Sequence, residues 1–272
     1  MDREATNTYL KTHGILPEAK FGQNFLCDEG IAASIIESAE IRSGDRVLEI
    51  GPGIGALSRP LSKLDISLVC VEIDKRLASV LRDDPEITAE ITDSDFLKLK
   101  DYGAGEFDVV ISNLPYYVMT DIMKKLYGEC TKARRMVFMV EEDALDRIMA
   151  TPRTKQYGPL SVLTSLYGTA SVVTRVPGSS FIPAPKTTSA VICLESDGNG
   201  LSRELVSFVD QCFMNRRKKL KAALKCYDSV TVAGAYADLG LDDNTRAEEV
   251  EPEAFLRLYN DIINAKSQRG TL

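Results

Sequence analysis

The 272-residue sequence has no tryptophan and a single histidine, His13. A lone imidazole has no second one to relay a proton or complete a metal site, so His13 is read as a surface residue. Cysteine offers no alternative centre. Cys27, Cys70, Cys130, Cys193, Cys212 and Cys226 stand singly, without a Cys-x-x-Cys pair, a spacing that predicts reduced, mostly buried thiols and no metal. Apolar runs are short. None approaches the roughly 20 residues that span a bilayer, and the first 20 positions lack the apolar stretch of an export signal, so a cytoplasmic chain without membrane contact is expected. A positive balance is also missing: 33 Lys and Arg stand against 40 Asp and Glu, a net charge of −7. This argues mildly against a polyanionic partner. Charge is unevenly placed, however. Arg216, Arg217, Lys218, Lys219, Lys221 and Lys225 fall within ten residues, a patch suited to phosphate contact, although charge runs of this kind are more usually the solvated face of a helix.

Between Arg46 and Glu195 short β-branched runs alternate with helix-period stretches, the pattern of an α/β domain with a mainly parallel sheet. Strands are predicted at Arg46–Ile50, Ser67–Val71, Thr88–Thr92, Asp108–Ser112, Arg135–Val140, Ser171–Arg175 and Ala190–Leu194. Helices are predicted at Gly30–Ala39 and Met119–Tyr127. The turn-forming stretch Ser196-Asp197-Gly198-Asn199-Gly200 marks a boundary. It divides a domain of residues 1–196 from an all-helical domain of residues 197–272, where Leu205, Phe208, Val209, Cys212 and Phe213 recur at helical spacing.

Val47-Leu48-Glu49-Ile50-Gly51-Pro52-Gly53-Ile54-Gly55 reads as a buried strand running into a glycine turn, where main chain can approach a ligand that a Cβ would block. Glycine turns also serve dinucleotide enzymes and plain packing. Two features favour S-adenosylmethionine over a dinucleotide. The third glycine arrives one residue earlier than in Gly-x-Gly-x-x-Gly, and acidic Glu49 suits an ammonium and a sulfonium better than phosphates. Glu72, 21 positions beyond Gly51 and next to Ile73, is placed to accept ribose hydroxyls. Asp95, followed by Phe96, is placed to accept an adenine amino group.

After the fourth predicted strand stands Asn113-Leu114-Pro115-Tyr116. At the carboxyl end of a strand this tetrapeptide would lie at the mouth of the cofactor crevice. Its chemistry suits an exocyclic amine such as N6 of adenine, whose lone pair is delocalised into the ring until the nitrogen is drawn toward tetrahedral geometry. The Asn113 side-chain oxygen and the Leu114 carbonyl would accept the two N–H bonds, Pro115 would fix the backbone that aims them, and Tyr116 would stack on the base. Tyr117 and Phe181 are the candidates for the second face of the base pocket, Phe181 the stronger of the two. No tuned general base is needed, in keeping with the shortage of histidine.

Phe21-Gly22-Gln23-Asn24-Phe25-Leu26, Glu49-Ile50-Gly51-Pro52-Gly53, Asn113-Leu114-Pro115-Tyr116, Phe181-Ile182-Pro183-Ala184-Pro185-Lys186 and Phe213-Met214-Asn215-Arg216-Arg217-Lys218-Lys219-Leu220 follow one another along nearly the whole chain. In these motifs it resembles the small-subunit ribosomal RNA adenine N6,N6-dimethyltransferase (KsgA) family. The resemblance implies a class I methyltransferase fold, Rossmann-like with a seven-stranded sheet, and a small C-terminal helical domain. It also implies dimethylation of two adjacent adenosines in a hairpin loop near the 3′ end of the small-subunit RNA, on a pre-30S particle, by a monomer. By motif position, Asn24, Leu26, Gly51, Gly53, Glu72, Ile73, Asp95, Phe96 and Asn113 would hold the cofactor, and Asn113, Leu114, Pro115, Tyr116 and Phe181 the target base. Arg216, Arg217, Lys218, Lys219 and Lys221 would contact RNA. The chain departs from the family at Glu141-Glu142-Asp143 and Gly158-Pro159-Leu160-Ser161, and keeps only Lys20 of the basic lead into the first motif. Each change removes positive charge. Two alternatives stay open: a large-subunit adenine methyltransferase of the antibiotic-resistance type, and a non-catalytic assembly or transcription factor on the same fold.

Overall fold

A computed structural model describes residues 1–100, 102–115 and 117–269. Its strands are β1 (Phe25–Leu26), β2 (Arg46–Ile50), β3 (Ser67–Glu72), β4 (Glu90–Asp93), β5 (Val109–Asn113), β6 (Arg135–Glu141), β7 (Gly168–Val176), β8 (Phe181–Ile182) and β9 (Ser189–Ser196). The α-helices are α1 (Arg3–Thr12), α2 (Glu29–Ser38), α3 (Ser58–Leu61), α4 (Lys75–Asp83), α5 (Met119–Glu129), α6 (Leu145–Ile148), α7 (Pro159–Tyr167), α8 (Arg203–Phe213), α9 (Leu220–Ala223), α10 (Ser229–Asp238) and α11 (Pro252–Arg269).

Seven strands form one sheet in the order β4-β3-β2-β5-β6-β9-β7. The pairings among β4, β3, β2, β5 and β6 are parallel, and β9 runs antiparallel to both β6 and β7. Continuous apolar runs such as Val109-Val110-Ile111 fit a sheet covered on both faces. Alternation then sorts the side chains. Leu48, Ile50, Val110, Met136, Phe138 and Ile192 pack toward α5 and α7 in one cluster, while Val47, Val109, Ile111, Val137 and Val191 pack toward α2 and α3 in another. Side-chain caps fix the starts of several helices: Asp28 accepts from the Gly30 and Ile31 N–H groups, Asp74 caps α4, and Ser202 caps α8.

All seven predicted sheet strands are present, with ends shifted by up to three residues. The two-residue strands β1 and β8 have no counterpart in the sequence pattern. They pair Phe25 with Ile182 and Leu26 with Phe181, and so bring the 21–26 segment to the 181–186 segment. Beyond Gly200 the chain is helical, and Phe208, Val209, Phe213, Phe255 and Leu258 belong to the same apolar cluster as Leu126 and Leu163 beneath the sheet. Five of the six cysteines are buried and all are free; Cys226 is exposed. Among the described residues no helix is long and apolar enough to cross a membrane.

Candidate active site

On one side of β2 lie β3 and β4; on the other lie β5 and the remaining strands. Loops leaving adjacent strand ends at such a point diverge and open a crevice. Here it is a partly open cleft lined by residues 21–26, the turn after β2, the end of β3 and the end of β5.

The turn has two different sides. Gly51, Gly53 and Gly55 have φ of 68°, 62° and 82°, values that a side chain makes costly. A Cβ on Gly55 would stand 2.7 Å from Ile87 Cδ1, and one on Gly53 3.3 Å from the Phe25 ring. One on Gly51 would meet nothing nearer than the Asn113 carbonyl oxygen at 4.0 Å. The turn is packed from behind and open at Gly51, where a ligand can reach the main chain.

Carboxylates dominate the polar lining. Glu49 is fully buried, and its Oε2 accepts from Ser58 Oγ at 2.6 Å and from the Cys70 thiol at 3.6 Å. Among the described residues no donor reaches Oε1. Burial pushes the Glu49 carboxyl up to about 7, against the pull of the Ser58 and Cys70 hydrogen bonds. Glu72 closes the turn: its Oε2 accepts the Gly53 N–H at 3.0 Å and its Oε1 the Asp74 N–H at 2.9 Å. Burial raises it to about 6. Among the described residues no lysine or arginine lines the cleft. Two buried carboxylates without a facing cation repel phosphate and fit a ligand that brings an ammonium, a sulfonium and hydroxyl donors.

The 21–26 segment is tied to this frame by Gln23, for which the sequence suggests no role of its own. Its Oε1 accepts the Glu18 N–H at 2.8 Å and its Nε2 donates to Asp74 Oδ2 at 3.0 Å. Asp74 is a firm anchor, because Arg76 beside it holds its carboxyl down at about 2. The only sequence signal for Gln23 is its place inside the Phe21–Leu26 motif. Asn24 and Leu26 line the cleft with it.

At the end of β5, Asn113 lines the same cleft, and its Nδ2 donates to the Asn24 carbonyl at 3.4 Å. With Nδ2 so engaged, Oδ1 is left as the acceptor of the amide. Leu114 is held by its N–H to the Met139 carbonyl at 3.0 Å, and among the described residues no donor meets its own carbonyl. Pro115 accepts the Val118 N–H at 3.2 Å and lines the cleft. Tyr116 lies outside the described residues.

Gly51, Gly53, Glu72 and Ile73 come together with Asn24, Leu26 and Asn113 around the cleft. Three other residues do not. Asp95 follows β4, where Oδ1 caps the Leu97 N–H at 3.0 Å and Oδ2 pairs with Lys98 at 3.2 Å; it stands beside the cleft and not in its wall. Phe96 is buried in the core, edge-on to Tyr102. Phe181 is 2% exposed, belongs to the same buried apolar cluster as Leu26, Leu57 and Val176, and does not line the cleft. Tyr117 is the aromatic at the surface: it is 58% exposed, and a Cβ on Gly22 would stand 3.5 Å from its ring.

The basic run also reads differently in three dimensions. It does not lie on one helix, because α8 stops at Phe213 and Arg216 to Lys219 occupy the turn before α9. Arg216 is half-buried, bonded to Glu248 at 2.7 Å and to the carbonyls of Lys155 and Thr154. Lys221 pairs with Asp243 and lies over the Tyr236 ring. Arg217, Lys218 and Lys219 are exposed. Arg217 and Lys218 share a concavity with Arg153, Lys155 and Arg246, which no local sequence signal connects to them.

A model of the ribosomal RNA adenine dimethylase family matches residues 17–264. The chain belongs to this family. Within the family it is 37% identical over 250 residues to ribosomal RNA small subunit methyltransferase A of Thermosynechococcus vestitus, covering 88% of this chain and 94% of that one. The namesake from Shouchella clausii is 34% identical over 282 residues, covering 95% and 94%. Among solved structures, a dimethyladenosine transferase from Plasmodium falciparum superposes with a TM-score of 0.72 at 25% identity, over 89% of this chain and 98% of that one. The 23S rRNA methyltransferase ErmE gives 0.58 at 27% identity, over 88% and 100%. The fold is that of the class I methyltransferases, and the family's cofactor is S-adenosylmethionine.

Proposed function

We propose that this enzyme dimethylates N6 of two adjacent adenosines in a hairpin loop near the 3′ end of small-subunit ribosomal RNA, acting in the cytoplasm as a monomer on a pre-30S particle. The observation that carries this reading is the Asn113 amide, oriented by its bond to the Asn24 carbonyl and placed in the same cleft as Gly51 and Glu72. Asn24, Leu26, Gly51, Gly53, Glu72 and Ile73 would hold S-adenosylmethionine, with Asp95 and Phe96 beside its adenine end. When bound, it supplies an electrophilic methyl group on a sulfonium. The protein's part is positioning. Asn113 Oδ1 and the Leu114 carbonyl accept the two N6–H bonds and draw the nitrogen lone pair out of conjugation, Pro115 keeps those acceptors converging, and Tyr116 stacks on the base. The N6 proton is lost to water once the nitrogen is cationic, so no histidine is needed.

The likeness to a 23S rRNA methyltransferase supports ribosomal RNA as the substrate class, whereas the relatives named for the small subunit favour the small-subunit target. A merely binding role would not need the paired acceptors at the end of β5. Tritiated methyl transfer into small subunits lacking the modification, with the labelled nucleotides mapped, is expected to label two adjacent adenosines. Label confined to large subunits, or to neither, overturns the proposal.

RNA binding is assigned to residues 197–272, and within them to the exposed Arg217, Lys218 and Lys219 more than to the internally paired Arg216 and Lys221. Replacing those three by alanine is expected to lower the slope of log affinity against log salt by roughly 0.7–0.9 for each phosphate they neutralise. Cofactor affinity should not change. Equal slopes for variant and parent would remove the assignment.

A further inference from the structure

The glycine turn is open to ligand on one side and must be held on the other. The holding group is Arg59, a buried guanidinium just beyond the turn. Its Nη1 donates to the Ile54 carbonyl at 2.7 Å and to the Gly55 carbonyl at 3.2 Å. Its Nη2 pairs with Asp84 at 2.5 Å. Above it lies the ring of Tyr9 from α1, 4.6 Å from the guanidinium carbon. The Tyr9 hydroxyl donates to the same Asp84 Oδ2 at 3.0 Å. The three side chains thus form a closed set: a cation, its carboxylate, and an aromatic that covers the first while bonding the second.

Apolar packing extends this set to the cleft wall. Leu10 and Ile15, at and beyond the end of α1, share a small cluster with Phe25, Ile54 and Leu77. Those last three residues line the cofactor cleft. The whole of α1 also precedes residue 17, where the match to the family model begins. The brace is therefore assigned by geometry and not by family motif.

We infer that Arg59 is a positioning residue for the cofactor turn, and that α1, through Tyr9 and Asp84, is the brace that fixes Arg59. This rests on the reading of the cleft as the S-adenosylmethionine site. An arginine can satisfy Asp84 and two carbonyls at once because its nitrogens lie in a rigid fork. A lysine carries one point charge and cannot span them. Lysine at position 59 would therefore keep the charge and loosen the Ile54–Gly55 carbonyls. The Gly53 N–H to Glu72 bond, on the ligand side of the same turn, would lose its fixed geometry.

The test is calorimetric binding of S-adenosylhomocysteine to the full-length protein at 20 °C, with thermal midpoints recorded in parallel. Arg59→Lys is expected to raise the dissociation constant roughly tenfold. Tyr9→Phe keeps the ring and deletes one hydrogen bond, and is expected to raise it about threefold while folding normally. Leu258→Ala, a buried position of α11 that does not line the cleft, serves as the control for stability alone: it should lower the midpoint and leave the dissociation constant unchanged. Parent-like constants for both Arg59→Lys and Tyr9→Phe would overturn the inference, as would an equal weakening by Leu258→Ala. Absence of binding by the parent protein would instead sink the reading of the cleft itself.

Discussion

Asn113→Ala is expected to lower the single-turnover rate of methyl transfer roughly 100- to 1,000-fold, the usual cost of removing one preorganised group aimed at developing charge. Oδ1 matters more in the transition state than before it, because each N6–H becomes a stronger donor as the nitrogen turns cationic. The loss should therefore fall on the rate of the chemical step and not on binding. The substitution also removes the Nδ2 bond to the Asn24 carbonyl. At 3.4 Å that bond is long, so S-adenosylhomocysteine affinity should weaken by no more than about threefold. Rapid-quench transfer into small subunits, together with calorimetry, separates the two effects. A variant that turns over near the parent rate would remove Asn113 from the reaction. A large loss of cofactor affinity with an intact rate at saturation would make it a cofactor ligand only.

The contrast between the two ends of this site shows what a sequence carries. The turn after β2 is legible because everything about it is local: a β-branched strand, three glycines at fixed spacing, and an acid before them. Glu72 is legible because parallel strands of similar length bring their carboxyl ends to one edge, so position along the chain maps onto position in the crevice. Phe181 is less legible for the opposite reason. An aromatic before Ile182-Pro183 looks the same whether it faces a ligand or the core, and its buried surroundings follow from the pairing of Leu26 with Phe181 in two strands too short to predict. The bond from Asn113 to Asn24 joins residues 89 apart in sequence and has no local signature. The basic run is visible as a cluster, but its division is not. Arg216 and Lys221 are taken up by Glu248 and Asp243, acids more than 20 residues further along the chain. Gln23 and Arg59 share this limit, since each acts by tying one segment to another.

The Glu49 contribution to cofactor affinity is expected to fall as the pH drops below about 7, reaching roughly a 100-fold loss at pH 5. The cause is Glu49, raised to about 7 by burial. A ligand carrying an ammonium and a sulfonium favours the ionised carboxylate, so protonation competes with binding and each pH unit below 7 costs about tenfold. Glu72, raised to about 6 by burial, acts in the same direction a unit lower. Stability of the cofactor-free protein should move the other way. A carboxyl whose folded value lies above its ordinary value of 4.5 contributes stability that is complete below 4.5 and lost as the pH rises through 7. The thermal shift given by saturating S-adenosylhomocysteine should therefore grow from pH 5 to pH 8, while the melting temperature of the cofactor-free protein gains nothing from Glu49 across that range. Glu49→Gln keeps the shape and a hydrogen-bonding oxygen for Ser58 but cannot ionise. It should bind more weakly than the parent at pH 8 and show a flatter pH profile, with the residual slope centred near the Glu72 value. If the parent's dissociation constant for S-adenosylhomocysteine, which keeps the ammonium and lacks the sulfonium, were the same at pH 5.5 and pH 8, the buried carboxylate would have no part in holding the ammonium end of the cofactor, and that end would have to be held by other groups of the cleft.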